Sequence, residues 1–310
     1  MKYKFTVFTP TYNRAYTLQR VFDSLMNQTI RHYDFEWILI NDGSVDDTDK
    51  LVEKFFSKAD FDIRYIKQKN KGKNYCHNKA IKLAEGELFL ILDSDDAIVP
   101  ECMDVFWHYW MKISENNKKE IYGITCLCRN GYTNSLIGHK VEEGLIKNAF
   151  IWKHKNRAYF DGWAALNTTI FKKYLFPEIE NIKFIPEAYL WDKVGKNRKV
   201  YSTNEVLKIV FYQNDGFSKN IIDSYLKHSK GRYLYHKMVI NDLFWDLLKV
   251  NSIRLLKDFI QFGRMGFHSN YSIKKMIKDI NSKFKVVFFI FIVFLSWLFY
   301  KLDIRSKINV

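Results

Sequence analysis

Asp93-Ser94-Asp95-Asp96 places three carboxylates within four residues, directly after the apolar run Leu88-Phe89-Leu90-Ile91-Leu92. A continuous apolar run of that length reads as a buried strand, so the acids sit at its C-terminal end, the edge where open α/β sheets bind ligands. Like charges this close repel, and a hard divalent cation relieves them. Mn²⁺ or Mg²⁺ prefers carboxylate oxygen and often bridges to phosphates. The same residues could instead form a solvated acidic turn, or cap a helix through Asp95 or Asp96 ahead of Pro100.

Three further polar segments follow apolar runs in the same way. Residues 5–9 read as a first strand, ending in Thr9-Pro10-Thr11-Tyr12-Asn13-Arg14, with a helical pattern through Leu18, Val21, Phe22 and Leu25 behind it. Residues 37–40 form a second, followed by Asn41-Asp42-Gly43-Ser44 and a helix over 46–56 with Asp46 or Asp47 at its N-cap. Residues 63–66 form a third, followed by Lys69-Asn70-Lys71-Gly72-Lys73-Asn74 and a helix over 74–84 that stops near Gly86. The alternation βαβαβαβ predicts an α/β protein with a mainly parallel sheet and helices on both faces. Each polar segment taken singly could be a turn, because Asn, Asp, Gly and Ser are turn formers. Four of them converging on one sheet edge make a nucleotide-sugar cleft. In it Tyr12 could stack on a base, Asp42 could accept from a base N–H, and Lys73 or Arg14 could approach phosphate. No Gly-x-Gly-x-x-Gly or Walker-type loop follows the first strand, which argues against dinucleotide and P-loop binding.

Thr9-Pro10-Thr11-Tyr12-Asn13-Arg14, then Ile40-Asn41-Asp42-Gly43-Ser44 with Asp46-Asp47-Thr48, then Asn78 and Gly86, then Leu92-Asp93-Ser94-Asp95-Asp96 resemble in order and spacing the family 2 glycosyltransferases over about residues 3 to 218. The resemblance implies a GT-A fold and an inverting, metal-dependent enzyme that uses a UDP-sugar. It implies a donor site built from Thr9, Pro10, Thr11, Tyr12, Arg14, Asp42, Lys73, Asn78, Asp93 and Ser94. Pro10, Tyr12 and Asp42 would surround the uracil, Asp93 would contact the nucleoside, and Asp95 would hold Mn²⁺ or Mg²⁺ on the diphosphate. The nearest likeness within the family is to bacterial enzymes of capsular and exopolysaccharide assembly.

Attack by a sugar hydroxyl on the donor's anomeric carbon needs a base on the acceptor side and neutralisation of the departing diphosphate. The base candidates are Glu187 and Asp192 in Phe184-Ile185-Pro186-Glu187-Ala188-Tyr189-Leu190-Trp191-Asp192. Glu187 is the first choice, since it occupies the family's acidic position; Ala188 stands where many members have an Asp. Glu187 could otherwise be a first-turn carboxylate after Pro186. Asp192 is the runner-up, otherwise a residue of the surface or one supporting its neighbours. His77 replaces the family's Arg before Asn78 and reads as structural. Phe160, Asp161, Gly162 and Trp163 lie where such enzymes bind acceptor sugars, and Asp215-Gly216-Phe217-Ser218 resembles a loop that closes over the diphosphate.

The 310 residues suffice for one large or two smaller domains, and a hydrophobic fraction of 47% supports a packed core. Cys126-Leu127-Cys128 lies in an apolar stretch and reads as strand rather than a zinc site. No apolar segment follows the basic start, so no secretory signal is expected, and the thiols should be reduced. The net charge is +15, and residues 219–310 hold 17 Lys plus Arg against 6 Asp plus Glu, which is +11 of it. That region also contains residues 286–300, apolar or aromatic except for Ser296. As a helix this run spans about 22 Å, short of a bilayer core of about 30 Å, yet it is too apolar for an ordinary surface helix. The chain therefore divides into a catalytic domain over 1–218 and a basic, helical, membrane-associating region over 219–310. The expected place of work is the cytoplasmic face of the plasma membrane, peripherally or monotopically bound, on a glycan acceptor carried by polyprenyl diphosphate. A nucleic-acid partner is not expected, because the basic charge clusters beside an apolar helix and no such binding motif occurs. The alternative is a non-catalytic membrane scaffold with a degenerate transferase domain. Donor sugar and oligomeric state are left open by the sequence.

Overall fold

The computed structural model describes residues 1–146, 148–155, 162–213 and 226–308. The first half alternates as expected: Tyr3–Thr11 (β1), Ala15–Met26 (α1), Phe35–Asn41 (β2), Thr48–Phe56 (α2), Asp62–Lys67 (β3), Lys73–Leu83 (α3) and Gly86–Ile91 (β4). Then follow Ala97–Ile98 (β5), Cys102–Lys112 (α4), Glu115–Lys118 (α5), Ile121–Asn130 (β6), Leu136–Ile137 (β7) and Gly144–Ile146 (β8). Ala149–Lys155 (α6), Trp163–Asn167 (β9), Thr168–Phe171 (α7), Ala188–Gly195 (α8) and Lys199–Val210 (β10) complete the sheet region. Cys126 and Cys128 lie in β6 and are buried.

The strands form one sheet in the order β3-β2-β1-β4-β9-β6-β10-β5. β1 to β4 are parallel, β9 runs antiparallel between β4 and β6, and β6 and β10 are again parallel. Thr11 pairs with Asn41, Asn41 with Lys67, and Phe8 with Ile91, so the carboxyl ends of four strands share one edge. The apolar runs are continuous because both faces are covered. Val7, Leu39 and Leu90 pack with Leu18, Val52 and Phe106 on one face, while Phe8, Ile38, Ile40 and Phe89 meet Cys76, Ala80 and Ile81 on the other. Each such side chain contributes about 1.5–3 kcal/mol on burial. β3 is the exposed edge strand and is correspondingly only half-buried.

A helical bundle follows: Ser229–Asp242 (α9), Phe244–Val250 (α10), Ser252–His268 (α11), Ile273–Lys278 (α12) and Lys283–Ile308 (α13). The boundary expected after residue 218 lies outside the described residues. The bundle is not separate from the sheet region: Tyr233, Val239, Phe259, Phe262 and Phe289 share a core with Phe176, Ile185 and Leu190. α13 is longer than its apolar run, with 26 residues, or about 39 Å. It contains a stretch, Lys283–Arg305, long and apolar enough to cross a membrane.

The bundle approaches the sheet region at Gly231, where an added Cβ would lie 1.7 Å from the Phe184 carbonyl oxygen. Neither backbone can retreat without opening the shared core. Gly231→Ala should therefore lose about 2–3 kcal/mol, read as a lowered urea midpoint at unchanged slope.

Candidate active site

The loop after β2 is built by its own polar side chains. Asn41 Oδ1 accepts from the Ser44 amide (2.7 Å), and Ser44 Oγ accepts from the Asn13 amide (2.9 Å). Asp46 accepts from the Ala15 amide (3.0 Å) at the start of α1 and from the Thr48 amide (3.2 Å) at the start of α2. Asp46 thus ties two helix entries together, more than the single cap expected of it. Asp42 accepts from the Lys71 and Gly72 amides (2.9 and 2.7 Å) and from Gln68 Nε2 (2.8 Å). Its carboxylate shapes the loop leading to α3. Gly72 ends that loop with φ +98°, and a Cβ there would fall 1.8 Å from the Lys183 carbonyl oxygen.

α3 then delivers Lys73 to the acidic edge. Its ammonium lies 2.6 Å from Asp93 Oδ1 and 2.6 Å from Glu187 Oε1. Two residues far apart in sequence, one after β4 and one capping α8, are joined by a single cation. All three side chains keep a third or more of their surface exposed, so the cluster opens outward. Glu187 is held there by its neighbours: Asn74 donates to the Ile185 carbonyl (2.9 Å) and accepts from the Ile185 amide (2.7 Å).

The remaining acids divide by partner. Lys208, on β10, is buried and lies 2.7 Å from Asp96 Oδ2 and 3.9 Å from Asp93 Oδ2. Asp96 Oδ1 accepts from the Phe211 amide (3.1 Å). Burial pushes Asp93 up, but the Lys73 and Lys208 charges outweigh it and hold the carboxyl below its ordinary value. Asp96 is raised by burial, with Lys208 opposing. Asp95 has no Lys, Arg or His within ion-pair distance among the described residues. Burial, together with the charges of Asp96 and Asp93, pushes it up to about 6. Its backbone carbonyl is fixed by Arg20 Nη1 (2.6 Å), whose guanidinium covers the Phe211 ring at 3.7 Å.

The donor set suits a divalent cation of limited protein coordination. Among the described residues no group of three or more His, Cys, Asp or Glu forms a protein-only cage. Mg²⁺ and similar ions are commonly held by one or two carboxylates plus substrate phosphates and water. Asp95, partly buried and not neutralised by a basic side chain, fits that pattern.

Other expected site residues fall in two groups. Tyr12 is half-exposed on the edge, and Pro10 and Arg14 are partly exposed beside it. Ser94 is buried at the edge between Asp93 and Asp95, and Thr11 is buried with its carbonyl accepting from the Asp42 amide (2.8 Å). Thr9 and Asn78 turn their side chains to buried partners. Thr9 Oγ1 is buried and accepts from Trp37 Nε1 (3.0 Å), and Asn78 clamps Phe176 through its carbonyl and amide (2.9 Å each). His77 is buried among Phe8, Phe89 and Phe176, and burial lowers it to about 3, which keeps it neutral.

Beneath the edge lies a cavity of about 550 Å³ lined by Asp93, Glu187, Lys208, Trp163, Lys153 and Asp192, among others. Trp163 Nε1 donates to the Ile91 carbonyl (2.6 Å), which fixes the indole as one wall. Asp192 is not a surface residue. It is 2% exposed and receives Lys153 (2.6 Å), His154 (3.3 Å) and the Tyr235 hydroxyl (2.8 Å). Burial raises it, but Lys153 and His154 outweigh that and hold it well below the carboxylate range. Phe160, Asp161 and the segment 215–218 lie outside the described residues. Sequence reasoning missed Lys208, Arg20 and Asn74. The available signal for Lys208 was a lone charge inside the apolar strand Val206-Leu207-Lys208-Ile209-Val210.

A family model described as glycosyl transferase family 2 matches residues 6–175. The chain belongs to that family. Among relatives of this glycosyltransferase, an uncharacterized glycosyltransferase of Rickettsia felis is 27% identical over 286 residues, covering 88% of this chain and 45% of its own. The minor teichoic acid biosynthesis protein GgaB of Bacillus subtilis is 26% identical over 271 residues, covering 79% and 29%. The chain thus spans less than half the length of these relatives. Among solved structures, S. aureus TarS 1-349 in complex with UDP-GlcNAc superposes with a TM-score of 0.59 at 16% identity, covering 99% of this chain and 92% of that one. The mannosyltransferase PcManGT of Pyrobaculum calidifontis, in complex with GDP-Man and Mn²⁺, gives 0.54 at 13% identity, covering 98% and 84%. These neighbours share the GT-A fold.

The raised Asp95 makes a stability test possible. A carboxyl whose folded value lies above its unfolded one destabilises the fold where it is ionised. The penalty is absent below about pH 4, grows as pH rises toward 6, and is full above that. Asp95→Asn should therefore stabilise the metal-free protein at pH 7.5 by about 1 kcal/mol after solvent screening, or about 2 °C in Tm. The gain should vanish at pH 4, as followed by calorimetry.

Proposed function

We propose that this glycosyltransferase moves a sugar, with inversion, from a UDP-sugar to a hydroxyl of a lipid-linked glycan acceptor during synthesis of a cell-surface polymer. The observation that carries the reading is the Lys73 bridge between Asp93 and Glu187, with Asp95 beside it outside ion-pair distance of any basic side chain among the described residues. Support for the donor comes from a fold neighbour solved with UDP-GlcNAc, and for the setting from GgaB, named for teichoic acid biosynthesis.

In this reading Tyr12, Pro10 and Asp42 receive the uracil, and Asp93 and Ser94 the ribose side. Lys73 and Arg14 lie toward the diphosphate. Mn²⁺ or Mg²⁺, when bound at Asp95, supplies Lewis-acid neutralisation of the leaving diphosphate. Glu187 takes the proton of the acceptor hydroxyl as its oxygen bonds to the anomeric carbon. The bond from that carbon to the phosphate oxygen breaks, and UDP leaves. Lys73 holds Glu187 pointed at the acceptor side, and the Trp163 wall offers an apolar surface for a pyranose. Asp192 is the weaker base in this arrangement, because its oxygens already accept from Lys153, His154 and Tyr235 and the Lys153 and His154 charges hold it well below the carboxylate range.

Purified protein with Mn²⁺ and a panel of UDP-sugars should hydrolyse or transfer at least one of them. EDTA and Asp95→Asn should each abolish turnover, and the Mn²⁺ concentration needed for half-maximal activity should rise as pH drops below about 6, where the metal-free Asp95 takes up a proton. Turnover undiminished in EDTA would remove the metal from the scheme, and inactivity on every donor would favour the scaffold alternative.

Glu187→Gln should lower kcat about 10²–10⁴-fold with donor KM nearly unchanged. If Asp192→Asn gives that signature and Glu187→Gln does not, the base is Asp192.

A further inference from the structure

The bundle that follows the catalytic region carries a one-sided apolar surface built from three helices. α13 is fixed along one stripe. Phe289, Ile292 and Ser296 are buried against α11, where a Cβ on Gly263 would lie 2.5 Å from Ser296 Oγ. Lys285 donates to the Asn241 carbonyl (2.9 Å) and Asn281 Oδ1 (3.0 Å) near one end. Arg264 grips both Asp303 oxygens near the other end, with Nε at 2.7 Å, and His268 joins at 2.8 Å. Along the opposite stripe the spacing is again helical. Phe284, Val287, Phe291, Phe294, Leu298 and Leu302 all face outward, with Phe291 80% and Phe294 64% exposed.

This stripe continues onto neighbouring helices. Trp245 of α10 stacks on Phe284 with ring centroids 6.2 Å apart and planes 8° from parallel. Leu248, Ile253 and Leu256 extend the exposed apolar surface along α10 and α11. Lys249, Lys257, Lys283, Lys301 and Arg305 are exposed around it, with no acidic partner among the described residues.

We propose that α10, α11 and α13 together form a monotopic docking face that lies in the interfacial plane of an anionic membrane, with α13 embedded sideways and not spanning. The proposal rests on the reading above that the enzyme works at a membrane, and gives that attachment its geometry. Length and composition alone would let α13 cross a bilayer, since only 22% of its apolar window is buried. Its attachment argues otherwise. α11 lies along it, bearing Arg254, Lys257, Asp258 and Arg264, and a crossing α13 would carry those charges into hydrocarbon or break its ion pairs. Lying flat, the exposed stripe enters the acyl boundary while the charged side stays in water. Basic residues at its margin match anionic headgroups, and Trp245 and Trp297 suit the interface. A second copy is the poorer occupant. A two-fold contact through this face would set the same basic margin against itself.

The full chain should sediment with vesicles of phosphatidylcholine containing phosphatidylglycerol and bind phosphatidylcholine alone about tenfold less. The double variant Phe291→Asp/Phe294→Asp should lose binding to the anionic vesicles at least about tenfold while keeping its far-UV circular dichroism and thermal midpoint. Lys283→Cys and Arg305→Cys should both react with a membrane-impermeant maleimide added outside sealed proteoliposomes, the four native cysteines being buried. Reaction at one position only until the vesicles are opened would show a span. Unchanged binding by the double variant would overturn the face, as would a lipid-independent dimer that the double variant abolishes. UDP-sugar hydrolysis in detergent reports the catalytic reading separately, so either can fail without the other.

Discussion

Three carboxylates at the end of a strand buried on both faces cannot all remain ionised unless cations meet them, because desolvation and mutual repulsion act together. Here the protein supplies two lysines for the three acids. Lys208 reaches Asp96 from β10, on the far side of the sheet from β1, and Lys73 reaches Asp93 from the first turn of α3. Among the described residues no basic side chain comes within ion-pair distance of Asp95, and the more distant Arg14 charge only partly opposes its burial and repulsion. The order of the sheet follows from this requirement as much as from apolar burial. β9 and β6 separate β4 from β10, yet Lys208 still arrives beside the acidic loop, because the short β5 pairs with β10 and brings the two together. An isolated pair of this kind adds little net stability, since desolvation offsets attraction. What it fixes is which carboxylate stays available.

The same economy places Glu187. Its carboxylate is far from Asp93 in sequence, and no sheet hydrogen bond joins the two. α3 does the joining with one face: Lys73 bridges the acids, Asn74 clamps Ile185, and Asn78 clamps Phe176. Each Asn uses both its carbonyl and its amide on one backbone residue, so the segment 176–187 is held at two points like a strand partner without a strand. A loop held this way keeps the Glu187 carboxylate at a defined position while leaving it partly exposed.

The strands of the parallel half were legible because burial on both faces leaves nothing but apolar residues in them. The runs 5–9, 37–40, 63–66 and 88–92 fall on β1 to β4 to within two residues at each end. The edge loops were legible because turn residues and charges follow each run. Thr9 and Asn78 show what the sequence hides: a hydroxyl or amide next to a motif looks available, whereas here each satisfies a buried partner, Trp37 or Phe176. Lys208 was overlooked because β10 comes after a long, irregular stretch and its register with β6 shifts repeatedly. Asp192 looked like part of the Glu187 motif, but three residues of helix separate the Glu187–Ala188 cap from it. That turn aims it inward, toward Lys153 and Tyr235.

Tyr235 links the catalytic region to the bundle, since its hydroxyl donates to Asp192 and accepts from Arg254 Nη2 at 3.1 Å. Arg254 in turn meets Asp258, and Asp258 meets His236. A chain of paired charges therefore runs from α8, whose N-cap is Glu187, through α9 into α11, on which α13 rests. Buried pairs of this type are intolerant of losing one member, because the partner is stranded in low dielectric. The bundle is thus welded to the segment bearing Glu187 by charge pairing as well as by the Phe176–Leu190–Phe259 core. A body attached in that way has one orientation relative to the cleft. Whatever surface the bundle rests on then sets the angle at which the Glu187 edge of the cleft faces it.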